Sequence, residues 1–145
     1  MVFKNESELK NYILGKCQNA LIKSQEQVYQ IIDRFVKEFY AEFSPEMYER
    51  TYQLYRSLVK SDIVSTGNGF EAQVYFDFGS LVYNTGAQPS GEQVMSAAAS
   101  GGHGADGLKV ISGGASIWND PVAILDASAI DILKKMLIAE GIPIR

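Results

Sequence analysis

An apolar stripe runs through the first third of this sequence, from Asn5 to Phe43, and it constrains the fold more than any other feature. Apolar residues recur there at steps of three and four, which is the period of one face of an α-helix. The spacing predicts a single helix over 5–43, whose length at 1.5 Å per residue would be about 55 to 60 Å. The stripe consists of Leu9, Tyr12, Ile13, Cys17, Ala20, Leu21, Val28, Ile31, Ile32, Phe35, Val36, Phe39, Tyr40 and Phe43.

The predicted helix is longer than a compact domain of 145 residues is wide, so it must bend, break or extend beyond the rest of the fold. The weakest point is Lys23 to Gln27, where polar residues interrupt the stripe. The hydroxyl of Ser24 can compete there for backbone hydrogen bonds. If the helix extends past the rest of the fold instead, its uncovered apolar end becomes a surface for another subunit.

Capping and stop signals mark the ends of this helix and the start of another. Asn5 followed three residues later by Glu8 has the form of a capping box, with Asn in place of Ser or Thr. Ser44-Pro45 ends the helix, because proline cannot donate a backbone hydrogen bond, and the same pair suits the first turn of a new helix. We therefore predict a second, shorter helix over 45–58.

The period of the apolar pattern changes from that of a helix to that of a strand near Val59. Two strand-like runs flank Gly67-Asn68-Gly69, whose residues tolerate the positive φ of a tight turn, so we predict a β-hairpin over 59–78. Two strands alone are marginal, and a third is expected at 80–83 or 108–111. The residues predicted to face the core from the second strand are Ala72, Val74, Phe76 and Phe78.

A glycine-rich region, 79–114, separates the hairpin from the end of the chain. A loop this long inside a small domain is either functional or poorly ordered, and the apolar side chains of this one are small and sparse. Residues 92–99 could form a short helical turn, which Gly101-Gly102 would end.

A C-terminal helix is predicted over 121–140, capped by Asp120 and closed by Gly141. The elements together predict one α+β domain over 1–145. Its long N-terminal helix and its C-terminal helix pack on a small antiparallel sheet built around the hairpin. The predicted buried side of the C-terminal helix consists of Leu125, Ala129, Ile132, Leu133, Met136 and Leu137.

The charge balance and the single cysteine limit the possible functions. The net charge is −4, and the lysines and arginines are scattered, which argues against sequence-specific nucleic-acid binding because phosphates need a cationic face. Cys17 is the sole cysteine, so no intrachain disulfide can form. Neither a signal peptide nor an apolar run long enough to span a bilayer is evident, and we expect synthesis in the cytoplasm and no membrane partner.

His103 is the only histidine, and it lies three residues before Asp106, a pair that could bind a metal or act as acid and base. A metal site needs three or four ligands, and no second histidine or available cysteine completes one. The glycines around His103 match neither the P-loop nor the dinucleotide fingerprint. We therefore predict no catalytic residue, no cofactor and no metal, and we expect a protein that is not an enzyme.

The segment Ser44 to Leu58 reads Ser-Pro-Glu-Met-Tyr-Glu-Arg-Thr-Tyr-Gln-Leu-Tyr-Arg-Ser-Leu. It resembles the Pro-x-x-Tyr-x-Arg-Thr-x-x-Leu-x-x-Ser-Ile/Leu segment of a family of minor head-tail or tail-completion proteins of long-tailed phages. The order of parts also resembles that family, with a long first helix, this segment, a hairpin, a glycine-bearing loop and a closing helix. Many members carry glycine after Arg-Thr, where this chain has Tyr52.

The resemblance implies a structural protein of the virion neck or tail, made in the host cytoplasm. It would act as a ring-like homo-oligomer and contact other phage neck or tail proteins, with no cofactor. The competing interpretation is a small bacterial ligand-binding or interaction domain that uses the glycine-rich loop around His103. The candidate interaction residues are Tyr48, Arg50, Thr51, Tyr52, Leu54, Arg56, Met95, His103 and Trp118.

Overall fold

The computed structural model describes residues 1–41, 53–81, 91–99, 102–103, 109–110 and 117–145, and the account below concerns these residues. Its helices and short antiparallel strands confirm the predicted α+β class. In chain order the elements are α1 (Glu6–Ala41), α2 (Gln53–Arg56), β1 (Leu58–Lys60), β2 (Val64–Ser65), β3 (Phe70–Glu71), β4 (Val74–Phe76), a 3₁₀ turn (Phe78–Ser80), α3 (Gly91–Ala99), β5 (Gly102–His103), β6 (Lys109–Val110) and α4 (Asn119–Ala139).

Helix α1 is continuous over 36 residues, which corresponds to about 54 Å. Its start is capped as predicted, because the backbone N–H of Glu8 donates to Asn5 Oδ1 at 2.9 Å. The carboxylate of Glu8 accepts from the backbone N–H of Lys4 at 2.7 Å, one residue before the position used in a standard capping box. The predicted end of the helix near Phe43 lies outside the described residues.

The polar interruption of the apolar stripe does not break α1. Ser24 is buried, and its hydroxyl donates to the backbone carbonyl of Ala20 at 2.8 Å without ending the helix. The next residue, Gln25, uses its side-chain amide to hold the hairpin. Its Nε2 donates to the carbonyl of Ser61 at 2.9 Å and to the carbonyl of Gln73 at 2.8 Å. The polar residues are therefore the place where the hairpin docks on α1.

The predicted hairpin is present as two short ladders joined by an irregular step. Strands β1 and β4 pair Leu58 with Phe76, and strands β2 and β3 pair Val64 with Glu71. Between the ladders three residues of the first arm, 61–63, face two of the second arm, 72–73, so the first arm is bulged. Gly67 supplies the positive φ of the turn, at +88°.

Three expectations about the hairpin and its surroundings differ from the structure. Of the short helix predicted over 45–58, residues 45–52 lie outside the described residues; the described part is helical to Arg56, and Leu58 already pairs in β1. Phe78 is exposed rather than facing the core, because Asp77 Oδ1 accepts from the backbone N–H of Gly79 at 3.1 Å and turns the chain out of the strand.

The third difference concerns the extra strand. Residues 78–80 form a 3₁₀ turn, and Lys109–Val110 pairs with Gly102–His103 instead of joining the hairpin. Each sheet in the described part of the chain therefore has two strands.

Helix α3 lies within the region predicted as a loop over 79–114, and it confirms the short helical turn expected at 92–99, beginning one residue earlier. Met95 and Ala98 are buried in the core, so small and sparse apolar side chains are sufficient to fix this helix. Gly91 allows a close approach at its first turn. A Cβ at this position would lie 2.5 Å from the carbonyl oxygen of Phe78.

Helix α4 runs antiparallel to α1. Ile117, just before α4, is buried in the same core cluster as Val36, and Glu140 at its other end contacts Lys16 and Lys23. The predicted cap at Asp120 is wrong, since α4 begins at Asn119 and its N-cap residue, Trp118, makes no side-chain capping hydrogen bond.

The other end of α4 closes at Gly141, as predicted. Gly141 has φ +85°, its N–H donates to the carbonyl of Ile138 at 2.9 Å, and the N–H of Ile142 donates to the carbonyl of Leu137 at 2.9 Å. This is a Schellman motif.

Ala129 and Leu133, predicted to be buried, are exposed because they lie outside the sector of α4 that faces α1.

Two glycines provide a matched test of this packing. Gly15→Ala should raise the free energy of unfolding by about 0.5 to 1 kcal/mol, because nothing lies within 4 Å of the new methyl and alanine favours a helix interior. Gly91→Ala should lower it by about 1 to 3 kcal/mol, because the methyl overlaps a backbone oxygen. Urea denaturation of both variants measures the two effects. Equal effects of one sign would contradict the close approach of α3 to the 3₁₀ turn.

Candidate interaction surface

The structure divides the sequence-predicted interaction residues into three groups. Residues Tyr48, Arg50, Thr51 and Tyr52 lie outside the described residues. His103 lies on β5, which pairs with β6, and nothing is described of its side chain. The remaining four candidates have described positions, and they do not form one site.

Leu54 and Met95 are both buried in the hydrophobic core, at 3% and 7% exposure. They belong to the cluster that also holds Val36 and Phe76. A side chain that is enclosed by its own domain cannot contact a partner, so the prediction that Leu54 and Met95 are interaction residues is wrong. Their apolar character and helical spacing fit a core position equally well, and the sequence alone does not separate the two roles.

Arg56 is exposed at the rim of an open cleft of about 370 Å³, which it lines together with Lys37, Tyr40 and Tyr55. The two tyrosine rings meet edge to face at 6.1 Å, and the hydroxyl of Tyr40 accepts from the backbone N–H of Tyr55 at 3.2 Å. Asp33 holds Lys37 through an ion pair of 2.6 Å, which raises the pKa of that lysine. The cleft therefore offers cationic and phenolic groups to a ligand or to a neighbouring protein.

Trp118 is partly exposed and packs its ring against Phe76 of the hairpin, with centroids 6.2 Å apart. This contact joins the start of α4 to β4. This contact fixes where α4 begins relative to the sheet.

The first turns of α1 lie beyond the last turn of α4. Glu140, the residue after α4, contacts Lys16 and Asn19, so residues 6–15 extend past it. The apolar stripe remains partly uncovered there, with Leu9 at 39%, Tyr12 at 41% and Ile13 at 40% exposure. The first turns of α1 therefore reach beyond the end of α4, with their apolar stripe partly uncovered.

Glu140 fastens the end of α4 to the middle of α1. Its side chain is only 9% exposed, and it forms ion pairs with Lys23 and with Lys16, the latter at 3.6 Å. The hydrogen bond from Lys23 is the main cause that lowers the pKa of Glu140. Asn19 and the charges of both lysines add to it, and burial opposes it. The ionised carboxylate therefore stabilises the contact between the two helices.

The solvent face of α4 is a second partly uncovered apolar surface. Ile130 is 71% exposed, Ile138 57% and Ile124 38%. Pro121 is the one fully buried residue among those described in α4, although the helix carries apolar residues on all sides. A helix of this composition is typical of an element that is covered on both faces.

Among the described residues, no cluster of three or more His, Cys, Asp or Glu side chains could hold a metal ion. No described helix combines the length and the hydrophobicity needed to cross a membrane.

Comparison with known proteins places the chain in a family. A family model described as YomN matches residues 5–137, which is most of the sequence. The chain belongs to the YomN family. That family is phage-associated, of a type found in a Bacillus prophage, and membership suggests a phage origin for this chain. No curated protein and no solved structure gives a significant match. The YomN match supports the predicted phage origin, whereas a position in the neck or tail is a separate proposal.

Leu54 and Arg56 of this YomN-family chain test the division between core and surface. Leu54→Ala should lower the free energy of unfolding by about 2 to 5 kcal/mol, because it opens a cavity in the core. Arg56→Ala should change it by no more than about 0.5 kcal/mol, because the side chain is exposed. Chemical denaturation of the wild type and of both variants measures these changes in the free energy of unfolding. A negligible effect of Leu54→Ala would restore Leu54 as a surface residue.

The ion pairs of Glu140 predict a pH dependence of stability. Its pKa is lowered in the folded state, so its contribution is complete above the ordinary carboxyl pKa of about 4.3 and is lost as the pH falls through the folded value. Glu140→Gln should therefore lower the unfolding midpoint at pH 7, and the difference from the wild type should shrink as the pH falls below about 4. Thermal unfolding of the wild type and of Glu140→Gln, at pH 7 and below about pH 4, measures this difference in midpoint. The exposed Glu38→Gln is the control, and a pH-independent loss in Glu140→Gln would indicate packing rather than charge.

Proposed function

We propose that this protein is a structural component of a phage or prophage particle that takes part in joining the tail to the head or in completing the tail. The phage-associated family supports the setting. The resemblance of segment 44–58 to tail-completion proteins supports the specific role. The observation that carries the proposal is the apolar end of α1, which extends past α4 and remains partly uncovered.

Such an end suits a subunit that completes its core against a neighbour. Exposed apolar surface of this kind usually marks an interaction site, and a rigid helix presents it at a fixed height and angle. Phe3 packs its ring against Tyr12 at 5.2 Å, so the residues before α1 fold back along the same face and enlarge it. A contact of this end with a different surface of the next copy generates a ring if the rotation closes.

A ring-like homo-oligomer in the neck or tail of the virion accounts for these features together. The other partners would be phage neck or tail proteins, and neither a membrane nor a specific nucleic-acid sequence would be bound. The role requires no active site, and we infer that the protein is not an enzyme and needs no cofactor. The competing interpretation, a small bacterial ligand-binding or interaction domain that uses the loop around His103, stays a prediction.

A phage that encodes this chain allows a direct test. Mass spectrometry of purified particles should detect the chain, and deletion of its gene should leave heads and tails unjoined in electron micrographs. A wild-type copy supplied in trans should restore joined particles. Absence of the chain from particles, with heads and tails still joined in the deletion strain, would refute the proposal.

A matched pair of variants connects that test to the end of α1. Ile13→Glu places a charge on the partly uncovered apolar stripe, and we expect it to reduce the yield of joined particles at least tenfold. Asn11→Glu adds a charge in the same turn, away from the stripe, and should restore particles nearly as well as the wild type. Equal restoration by both variants would show that this end of α1 is not the contact surface.

A further inference from the structure

The solvent face of α4 carries a stripe with the spacing of a coiled-coil seam. Its members follow one another at steps of three, four, three and four, which places them at successive a and d positions of a heptad. All of them are exposed, and the side chain of Ile130 beside them is also exposed, at 71%. The α4 stripe, as we call it, consists of Ile124, Ala127, Asp131, Lys134 and Ile138.

Two opposite charges occupy the middle of the α4 stripe, where a seam normally has apolar residues. Asp131 and Lys134 are both exposed, and within the described part of the chain neither takes part in an ion pair. Apolar residues lie on both sides of them, with Ile124 and Ala127 before and Ile138 after. This order restricts which partner helix can lie against the stripe, because a buried charge needs an opposite charge beside it.

We propose that the α4 stripe docks a second copy of this chain, with the two α4 helices antiparallel and Asp131 of each opposite Lys134 of the other. In an antiparallel pair an a position of one helix faces a d position of the other. The register that joins Asp131 to Lys134 twice also sets Ala127 opposite Ile138 twice, so that small residues face large ones. The stripe is therefore complementary to itself in both charge and size at Ala127, Asp131, Lys134 and Ile138.

Other arrangements of the same two helices lose this complementarity. A parallel pair in register sets Asp131 against Asp131 and Lys134 against Lys134, which repel. An antiparallel pair displaced by one heptad sets Lys134 against Ile124 or against Ile138, which leaves the ammonium group without an acceptor. One register remains favourable, and it is two-fold symmetric, as is usual for contacts between identical chains.

The size of the contact predicts a reversible dimer. Helix α4 has 21 residues, or three heptads, so the buried area falls at the low end for stable interfaces. A two-fold contact at α4 leaves the end of α1 free for a different neighbour, and it is compatible with a closed ring. The pairing is independent of the proposed function, because a monomeric protein could still be incorporated into a particle.

Charge exchange tests the register. The wild-type protein should rise in mass from 16.0 kDa toward twice that value as its concentration approaches about 1 mM, measured by analytical ultracentrifugation. Asp131→Lys and Lys134→Asp each place like charges opposite one another and should weaken the dimer about tenfold or more. A mixture of the two variants should form a one-to-one heterodimer nearly as strong as the wild-type dimer, because two lysines then face two aspartates.

Asp126→Lys is the control, since it makes the same charge change on α4 at a position away from the α4 stripe and should leave the dimer within about threefold of the wild type. Circular dichroism verifies that each variant is folded. Formation of the heterodimer is a second check, because it requires both variants to be folded. A wild-type protein that stays monomeric at every concentration would overturn the proposal. So would a mixture that fails to form the heterodimer, because another part of this chain or another protein would then cover the stripe.

Discussion

The apolar face of α1 is the constraint on which the rest of the described structure depends, because a helix of about 54 Å cannot bury that face by itself. The hairpin and α2 contact this helix, and α3 adds Met95 to the same core. Helix α4 runs alongside, from the level of Val36 back to that of Lys16. Over the first turns the cover is incomplete, and Leu9, Tyr12 and Ile13 each remain about 40% exposed.

A polar contact sets where the hairpin sits along that face. Apolar packing is not directional and would allow the hairpin to slide along the helix. The amide of Gln25 reaches the carbonyls of Ser61 and Gln73 together at one height only, and these carbonyls lie at the bulge, where the ladder is irregular. An ion pair between Glu26 and Lys60 lies beside it and lowers the pKa of that carboxylate. The polar residues that interrupt the apolar stripe thus fix the position of the hairpin along α1.

Helix α4 has a different relation to the core, because it is apolar on both sides and covered on one. Its inner side is held by Pro121, by Leu125 and by the ion pairs of Glu140. Its outer side combines exposed isoleucines with two opposite charges at heptad positions.

The sequence by itself determined the elements whose signals are local. The capping residue Asn5, the turn at Gly67 and the helix end at Gly141 act through their own backbone conformation or through bonds to near neighbours, and all three are confirmed. The tertiary structure alone decided which apolar residues are enclosed. Leu54 and Met95 look like interaction residues in the sequence but lie in the core, whereas Leu133 looks like a core residue but is exposed. Periodicity identifies a face, but only the arrangement of distant elements determines whether that face is covered.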